Sequence, residues 1–170
     1  MSSGSKLFAA ALVASLAAVP ATAQSASALA ASRALPAYIA TDRAVSIADA
    51  QRLVEQGRLR DARNAFRRVA LEQMDAGEYA AEALNGLART EFALNDLRAT
   101  ASTLDLLASE AARFGDPEVR LRSLVEAALT YQDLGDRQKV ADLVPAIQAL
   151  LKSPVISEAT RRDVASRLVP

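Results

Sequence analysis

Apolar side chains recur every three or four positions over most of this chain, as they do along one face of an α-helix. The clearest example is a segment near its centre, which carries Leu59, Ala62, Phe66, Val69 and Ala70. The chain shows no alternation of apolar and polar residues of the kind that is typical of a strand. The pattern therefore predicts an all-α protein, whose helices cover residues 41–56, 59–75, 78–94, 97–113, 117–134, 137–152 and 157–168.

Short polar turns separate these segments and mark where one helix ends and the next begins. Gly57, Asn95 and Gly135 follow apolar runs, and both residue types tolerate the left-handed backbone that closes a helix. Because turns this short make neighbouring helices antiparallel, the chain is predicted to form three helical hairpins and one trailing helix. The N-caps are expected to be Thr41 or Asp42, then Asp96, Asp116, Asp136 and Ser157.

The sixth predicted helix contains a proline, Pro145. A proline inside a helix removes one main-chain hydrogen bond. Since the apolar pattern continues on both sides of it, we expect a kink at this position rather than the end of the helix.

The hairpins share a set of small and aromatic residues, and in this respect the chain resembles the tetratricopeptide-repeat family. The residues that carry the resemblance are Ala50, Leu53, Gly57, Ala62 and Phe66 in the first unit, Leu87, Ala88, Asn95, Thr100 and Leu104 in the second, and Ala128, Tyr131, Gly135, Val140 and Val144 in the third. The turns lie 38 and 40 residues apart, whereas the family repeat is about 34 residues. The resemblance implies a right-handed α-solenoid of about six to seven helices that are longer, or more loosely stacked, than usual.

In that family the first helix of each hairpin lines the concave face. The resemblance therefore implies a partner-binding surface made of Gln51, Glu55, Asn85, Arg89, Arg122 and Gln132. Asn85 and Arg89 are one helical turn apart and are suited to hold a carboxylate or a peptide backbone. The alternative is that these polar residues form an ordinary solvated face.

A cluster of basic residues follows the first turn, namely Arg58, Arg60, Arg63, Arg67 and Arg68. One interpretation is a site for an acidic partner or for lipid head groups. The alternative is local pairing with the nearby acids Glu55, Asp61 and Glu72. We expect Arg63 to point outward in either case.

Residues 1–23 have the features of a secretory signal peptide. Lys6 precedes an apolar run of 13 residues that ends at Pro20, and small residues follow it. The run is too short to span a bilayer, which needs about 20 residues, so an uncleaved anchor is the weaker alternative. The sequence thus predicts a signal peptide at 1–23, an Ala/Ser-rich linker at 24–40, a helical repeat domain at 41–170, and a periplasmic or secreted protein.

The composition restricts the function classes further. Basic residues (Lys plus Arg) and acidic residues (Asp plus Glu) number 20 each, so the chain has no net charge. The composition therefore gives no indication that nucleic acid is a partner. The chain has no His and no Cys, and it has no phosphate-binding loop or metal-ligand motif. We therefore expect that the protein binds no cofactor and has no enzymatic activity. We also expect no stable membrane insertion after cleavage of the signal peptide. The leading hypothesis is an exported scaffold that binds a protein or peptide, and the alternative is a module that self-assembles within an envelope complex.

Overall fold

The computed structural model of the chain describes residues 45–168. They form seven α-helices: α1 (Ile47–Glu55), α2 (Leu59–Asp75), α3 (Ala81–Ala93), α4 (Leu97–Arg113), α5 (Pro117–Asp133), α6 (Arg137–Lys152) and α7 (Glu158–Leu168). No strand occurs among the described residues, and each helix from α1 to α5 packs against the next. The predicted all-α stack of helical hairpins is therefore confirmed. The predicted signal peptide at 1–23, the linker at 24–40 and the Thr41–Asp42 cap lie outside the described residues.

Local backbone chemistry sets the helix ends. The side chains of Asp96, Asp116 and Asp136 accept hydrogen bonds from main-chain N–H groups three positions on, at 3.2, 3.0 and 3.1 Å. Asn95 adopts a φ of 59°, the left-handed conformation that the sequence predicts for it. These caps satisfy backbone groups that a helix end leaves without intrahelical partners.

Two predicted helix starts are wrong by a few residues. Helix α1 begins after Ser46, which exchanges side-chain and main-chain hydrogen bonds with Asp49 in a capping box. Helix α3 begins at Ala81 rather than at residue 78. The loop before it contains Tyr79, whose hydroxyl group donates to the Asp116 carboxylate at 3.1 Å. This contact holds the loop in a non-helical path.

The first hairpin packs through Ala62 and Phe66, both of which are buried as predicted. The Phe66 ring lies directly against Gly86 in the middle of α3. A Cβ atom at Gly86 would stand 2.4 Å from the ring, closer than real side chains approach. Glycine lowers the stability of a helix interior, so its presence here is explained by the space that the ring occupies.

The trailing helix α7 packs against α5 rather than against α6. Its Val164, together with Ile156 from the loop before it, joins a core cluster with Leu121 and Ile147. Helix α6 runs unbroken through Pro145, and Ile147 is its one buried residue. Val144, on the predicted apolar face of α6, is 39% exposed, because α7 packs against α5 and does not cover that face.

The Arg161 side chain ties α7 to the end of α6. Its guanidinium group donates to the carbonyl oxygens of Leu151 and Ser153 at 3.1 and 2.7 Å. Its position on the last predicted helix, 157–168, suggests an outward side chain, and that prediction is wrong because the guanidinium satisfies carbonyl groups that the helix end leaves unpaired.

The basic cluster on α2 is divided among separate ion pairs. Arg58 and Arg68 pair locally with Asp61 and Glu72, as the second interpretation of this cluster holds, at 2.7 and 2.8 Å. Two other arginines reach the next hairpin instead. Arg67 contacts Glu91 at 3.1 Å. Arg63 lies 3.7 Å from Asp96 with its side chain 29% exposed, so its predicted outward orientation is wrong.

Two tyrosines join successive hairpins through carboxylates. The Tyr131 hydroxyl group donates to Asp105 at 2.7 Å, and Tyr79 donates to Asp116. Burial, followed by the adjacent carboxylate, raises the pKa of each tyrosine from 10.0 to about 12. Both hydroxyl groups therefore keep their protons, and so remain donors, throughout the neutral range.

None of the seven helices formed by residues 45–168 is long and apolar enough to cross a membrane.

Candidate functional site

One surface of the stack is built from α1, α3 and α5, the first helix of each hairpin. Each of these helices presents a row of side chains at helical spacing. The rows consist of Gln51 and Glu55 on α1, of Glu82, Asn85, Arg89 and Phe92 on α3, and of Arg122, Glu126, Leu129 and Asp133 on α5. Helices α2 and α4 lie beneath and contribute the floor through Phe66, Leu104 and Leu107.

Three hollows follow one another along this surface. One lies between α1 and α3 and has a volume of about 550 Å³. The others lie between α3 and α5, with volumes of about 300 and 520 Å³. Asn85, Arg89 and Glu126 each line two of the hollows. The hollows are therefore parts of one continuous surface, which we call the groove.

The hollow of about 520 Å³ is the most apolar part of the groove. Its wall and floor include Phe92, Leu129, Leu104 and Ala88, and we call it the Phe92 hollow. The Phe92 side chain is 58% exposed, although its spacing on α3 predicts a buried residue. That prediction is wrong because Phe92 lies at the border of the apolar face, beside Arg89, where α5 does not cover it.

Polar contacts engage most of the other groove residues. Gln51 donates to Glu82 at 3.4 Å and so links α1 to α3. Arg122 donates to Thr160 of α7 at 2.7 Å and lies 3.6 Å from Glu118. Glu126 pairs with Arg167 of α7. These contacts fasten the helices to one another and reduce the free charge of the groove.

The Glu118 carboxylate of α5 holds the start of α7. Glu118 accepts hydrogen bonds at 3.0 Å from the Ser157 main chain and from the Thr160 hydroxyl group. Hydrogen bonds from Ser157, then from Thr160, lower the pKa of the Glu118 carboxyl from its ordinary value of 4.5.

Arg89 and Asp133 differ from these residues. Within residues 45–168 neither side chain forms an ion pair or a hydrogen bond, with each other or with any other group. Both line the Phe92 hollow, Arg89 from α3 and Asp133 from α5. The hollow thus has an apolar floor between one free cation and one free anion.

The structure brings together five of the six residues that the sequence assigns to the partner-binding surface. Gln51, Glu55, Asn85, Arg89 and Arg122 line the groove, and Asn85 and Arg89 share the hollow beside α1. Gln132 is exposed near the end of α5 but lies outside the three hollows. It is away from them because it does not fall on the helical row that carries the α5 groove residues.

Sequence reasoning missed several groove residues that helical spacing would have found. Phe92 stands at i+7 from Asn85 and at i+3 from Arg89, so it belongs to their row. On α5, Glu126, Leu129 and Asp133 continue the row that begins at Arg122. The signal was present, but Phe92 was assigned to the core.

The two hydroxyl groups that line the Phe92 hollow are engaged in hydrogen bonds within their own helices. The hydroxyl groups of Thr100 and Thr130 donate to the main-chain carbonyls of Asp96 and Glu126 at 2.9 and 2.7 Å. Among residues 45–168, no three side chains of the metal-binding types come together as a set of ligands.

Comparisons with protein-family models, with curated proteins and with solved structures yield no match to this chain.

Proposed function

We propose that this chain is an exported, non-catalytic scaffold of the tetratricopeptide-repeat kind, which binds a protein or peptide partner in the groove. The observation that carries the proposal is the exposed Phe92 ring inside an apolar hollow of a continuous groove. Exposed aromatic side chains in clefts are typical anchors of protein interfaces. A stack of hairpins also presents an extended surface, of the kind that repeat proteins use for binding.

The volume of the groove supports a segment of polypeptide as the ligand. The Phe92 hollow holds about 520 Å³, within the range of about 300 to 1,000 Å³ that is usual for small-molecule sites, so it has room for a large apolar side chain of a peptide. The hollow beside α1 adds about 550 Å³ along the same surface. Arg89 lines both hollows and Asn85 lines the one beside α1, and they carry guanidinium and amide donors for peptide carbonyl groups.

The replacement of Phe92 by Ala is expected to weaken partner capture by about 30-fold or more, the effect of losing an interface anchor worth about 2 kcal/mol. The double variant Asn85→Ala, Arg89→Ala should also weaken it. Both should leave the thermal midpoint nearly unchanged, because these side chains are exposed. The measurement is capture of crosslinked partners from the exported fraction, together with a thermal melt of each variant.

Leu71→Ala is the matched control for Phe92→Ala. Leu71 is an apolar residue of α2 with 53% exposure and does not line the groove. If Leu71→Ala weakens partner capture as much as Phe92→Ala does, the proposed site is wrong. A large loss of thermal stability in Phe92→Ala would show that the ring packs rather than binds.

We propose export on the basis of residues 1–23 alone. The mature chain should begin at Gln24, because the small residues before it fit a signal-peptidase site. N-terminal sequencing of the protein from the periplasm or medium checks this. Chains that keep Met1 in the membrane fraction would contradict it.

Self-assembly within an envelope complex is the second candidate function. It is favoured by Val144 and Val155, which are 39% and 63% exposed near the end of the stack. Against it, α7 covers that end of α5 with an outer face that is mostly polar. A molar mass that stays monomeric as the protein concentration rises would exclude this candidate.

A further inference from the structure

The Phe92 hollow contains two unpaired opposite charges on opposite walls. Arg89 projects from α3 and Asp133 from α5, and within residues 45–168 neither has a partner. Neighbouring charges behave differently, because Glu126 pairs with Arg167, and Arg122 with Glu118. The two free charges are therefore the ones in this hollow that a ligand can engage without breaking an existing pair.

The position of Asp133 strengthens this point. It is the last residue of α5, where the helix dipole places partial negative charge. The last turn of α5 contains no basic residue to offset either charge. A cation supplied by a ligand would interact favourably with both the carboxylate and the helix end.

The position of Arg89 is suited to the opposite charge. It lies one helical turn before Phe92, so its guanidinium group stands beside the apolar wall. A guanidinium group offers paired donors that match a carboxylate in a planar, two-point contact.

We infer that the groove selects a peptide segment in which an apolar side chain lies between an acidic and a basic residue. The apolar side chain occupies the hollow against Phe92, Leu104 and Leu129. The acidic residue pairs with Arg89, and the basic residue pairs with Asp133. This inference rests on the function proposed above and specifies the chemistry of the partner.

The test uses short synthetic peptides with blocked ends, each with one Phe in a background of Ala and Ser. The residues that flank Phe are Glu and Lys in one peptide, Glu on both sides in a second, Lys on both sides in a third and Gln on both sides in a fourth. Binding to the full chain is measured by fluorescence anisotropy. The Glu and Lys peptide should bind about three- to tenfold more tightly than each of the others, the effect of one partly exposed charged contact.

Charge reversal on each wall should change the preferred peptide. Asp133→Lys should make the peptide with Glu on both sides the tightest ligand, and Arg89→Glu should do the same for the peptide with Lys on both sides. Asp75→Lys and Arg60→Glu are the matched controls, because both residues are exposed on α2 and line none of the three hollows. The controls should keep the preference of the unaltered chain.

Two results would overturn the inference. Equal affinity for all four peptides would show that Arg89 and Asp133 do not select the charges of the peptide. Binding that depends on Phe would in that case still support the proposed function. Failure of every peptide to bind would also overturn it. The proposed function would then be decided separately, by the effect of Phe92→Ala on partner capture.

Discussion

The replacement of Phe66 by Ala is expected to lower the free energy of unfolding by about 3 to 5 kcal/mol. The ring is 3% exposed and packs in one cluster with Ala50, Ala65 and Leu87. Its loss removes apolar contacts and leaves a cavity where α2 meets α3. Because a domain of this kind has a total stability of about 5 to 15 kcal/mol, urea melts will resolve the change readily.

Gly86 makes this prediction specific to the observed packing. Gly86→Ala alone should destabilise by about 1 to 3 kcal/mol, because the new Cβ atom would stand 2.4 Å from the Phe66 ring. In the Phe66→Ala background the same substitution should stabilise, by up to about 1 kcal/mol. The ring is then absent, and Ala is the better helix former.

A double-mutant cycle in urea measures this reversal of sign. Arg60→Ala is the control on the same helix, since Arg60 is exposed, and it should change stability by no more than about 0.5 kcal/mol. Arg63 is unsuitable for that purpose, because it lies 3.7 Å from Asp96. Additive effects of Phe66→Ala and Gly86→Ala would contradict the contact between ring and glycine.

Glu91→Ala is expected to destabilise the stack by about 1 to 3 kcal/mol. The Glu91 side chain is 1% exposed and holds three helices together. It accepts from Arg67 of α2 at 3.1 Å and from the Thr103 hydroxyl group of α4 at 2.7 Å. Truncation leaves both donors without their acceptor. This cost is smaller than the loss of about 3 to 5 kcal/mol that is typical when a fully buried ion pair is broken, because the Arg67 side chain is 48% exposed.

The converse variant, Arg67→Ala, should also destabilise, because it leaves a buried carboxylate without its counter-charge. The double replacement Arg67→Met, Glu91→Met should recover part of the loss, since it removes both charges together. Glu72→Ala is the control, because Glu72 pairs with Arg68 at an exposed site on α2. Denaturant melts that place Glu91→Ala within about 0.5 kcal/mol of Glu72→Ala would contradict the role assigned to Glu91.

The helical hairpins could be predicted because their signals are local. An N-cap aspartate acts on a backbone group three residues away, and a left-handed Asn95 acts on its own helix end. The same locality explains why the start of α1 was predicted wrongly. Ser46 and Asp49 form a capping box that is visible in the sequence, but the preceding Thr41 and Asp42 offered an equally good start.

Part of the candidate groove could also be predicted, because the resemblance to the tetratricopeptide repeat implies that the first helices of successive hairpins line one surface. Asn85 and Arg89 were identified in this way and do line one hollow together. Phe92 was assigned to the core instead. A helical pattern shows that a residue borders the apolar face, but not whether a neighbouring helix covers it.

The sequence by itself determined the helices, their order and their turns, because each depends on residues within one or two turns of the chain. The tertiary structure alone decided which distant residues meet. Phe66 and Gly86 lie 20 positions apart, and Arg67 and Glu91 lie 24 apart. It also decided that α5 leaves the Phe92 ring uncovered, between the unpaired charges of Arg89 and Asp133. The spacing between packed helices is set by all the side chains at their interface together, and no local pattern encodes it.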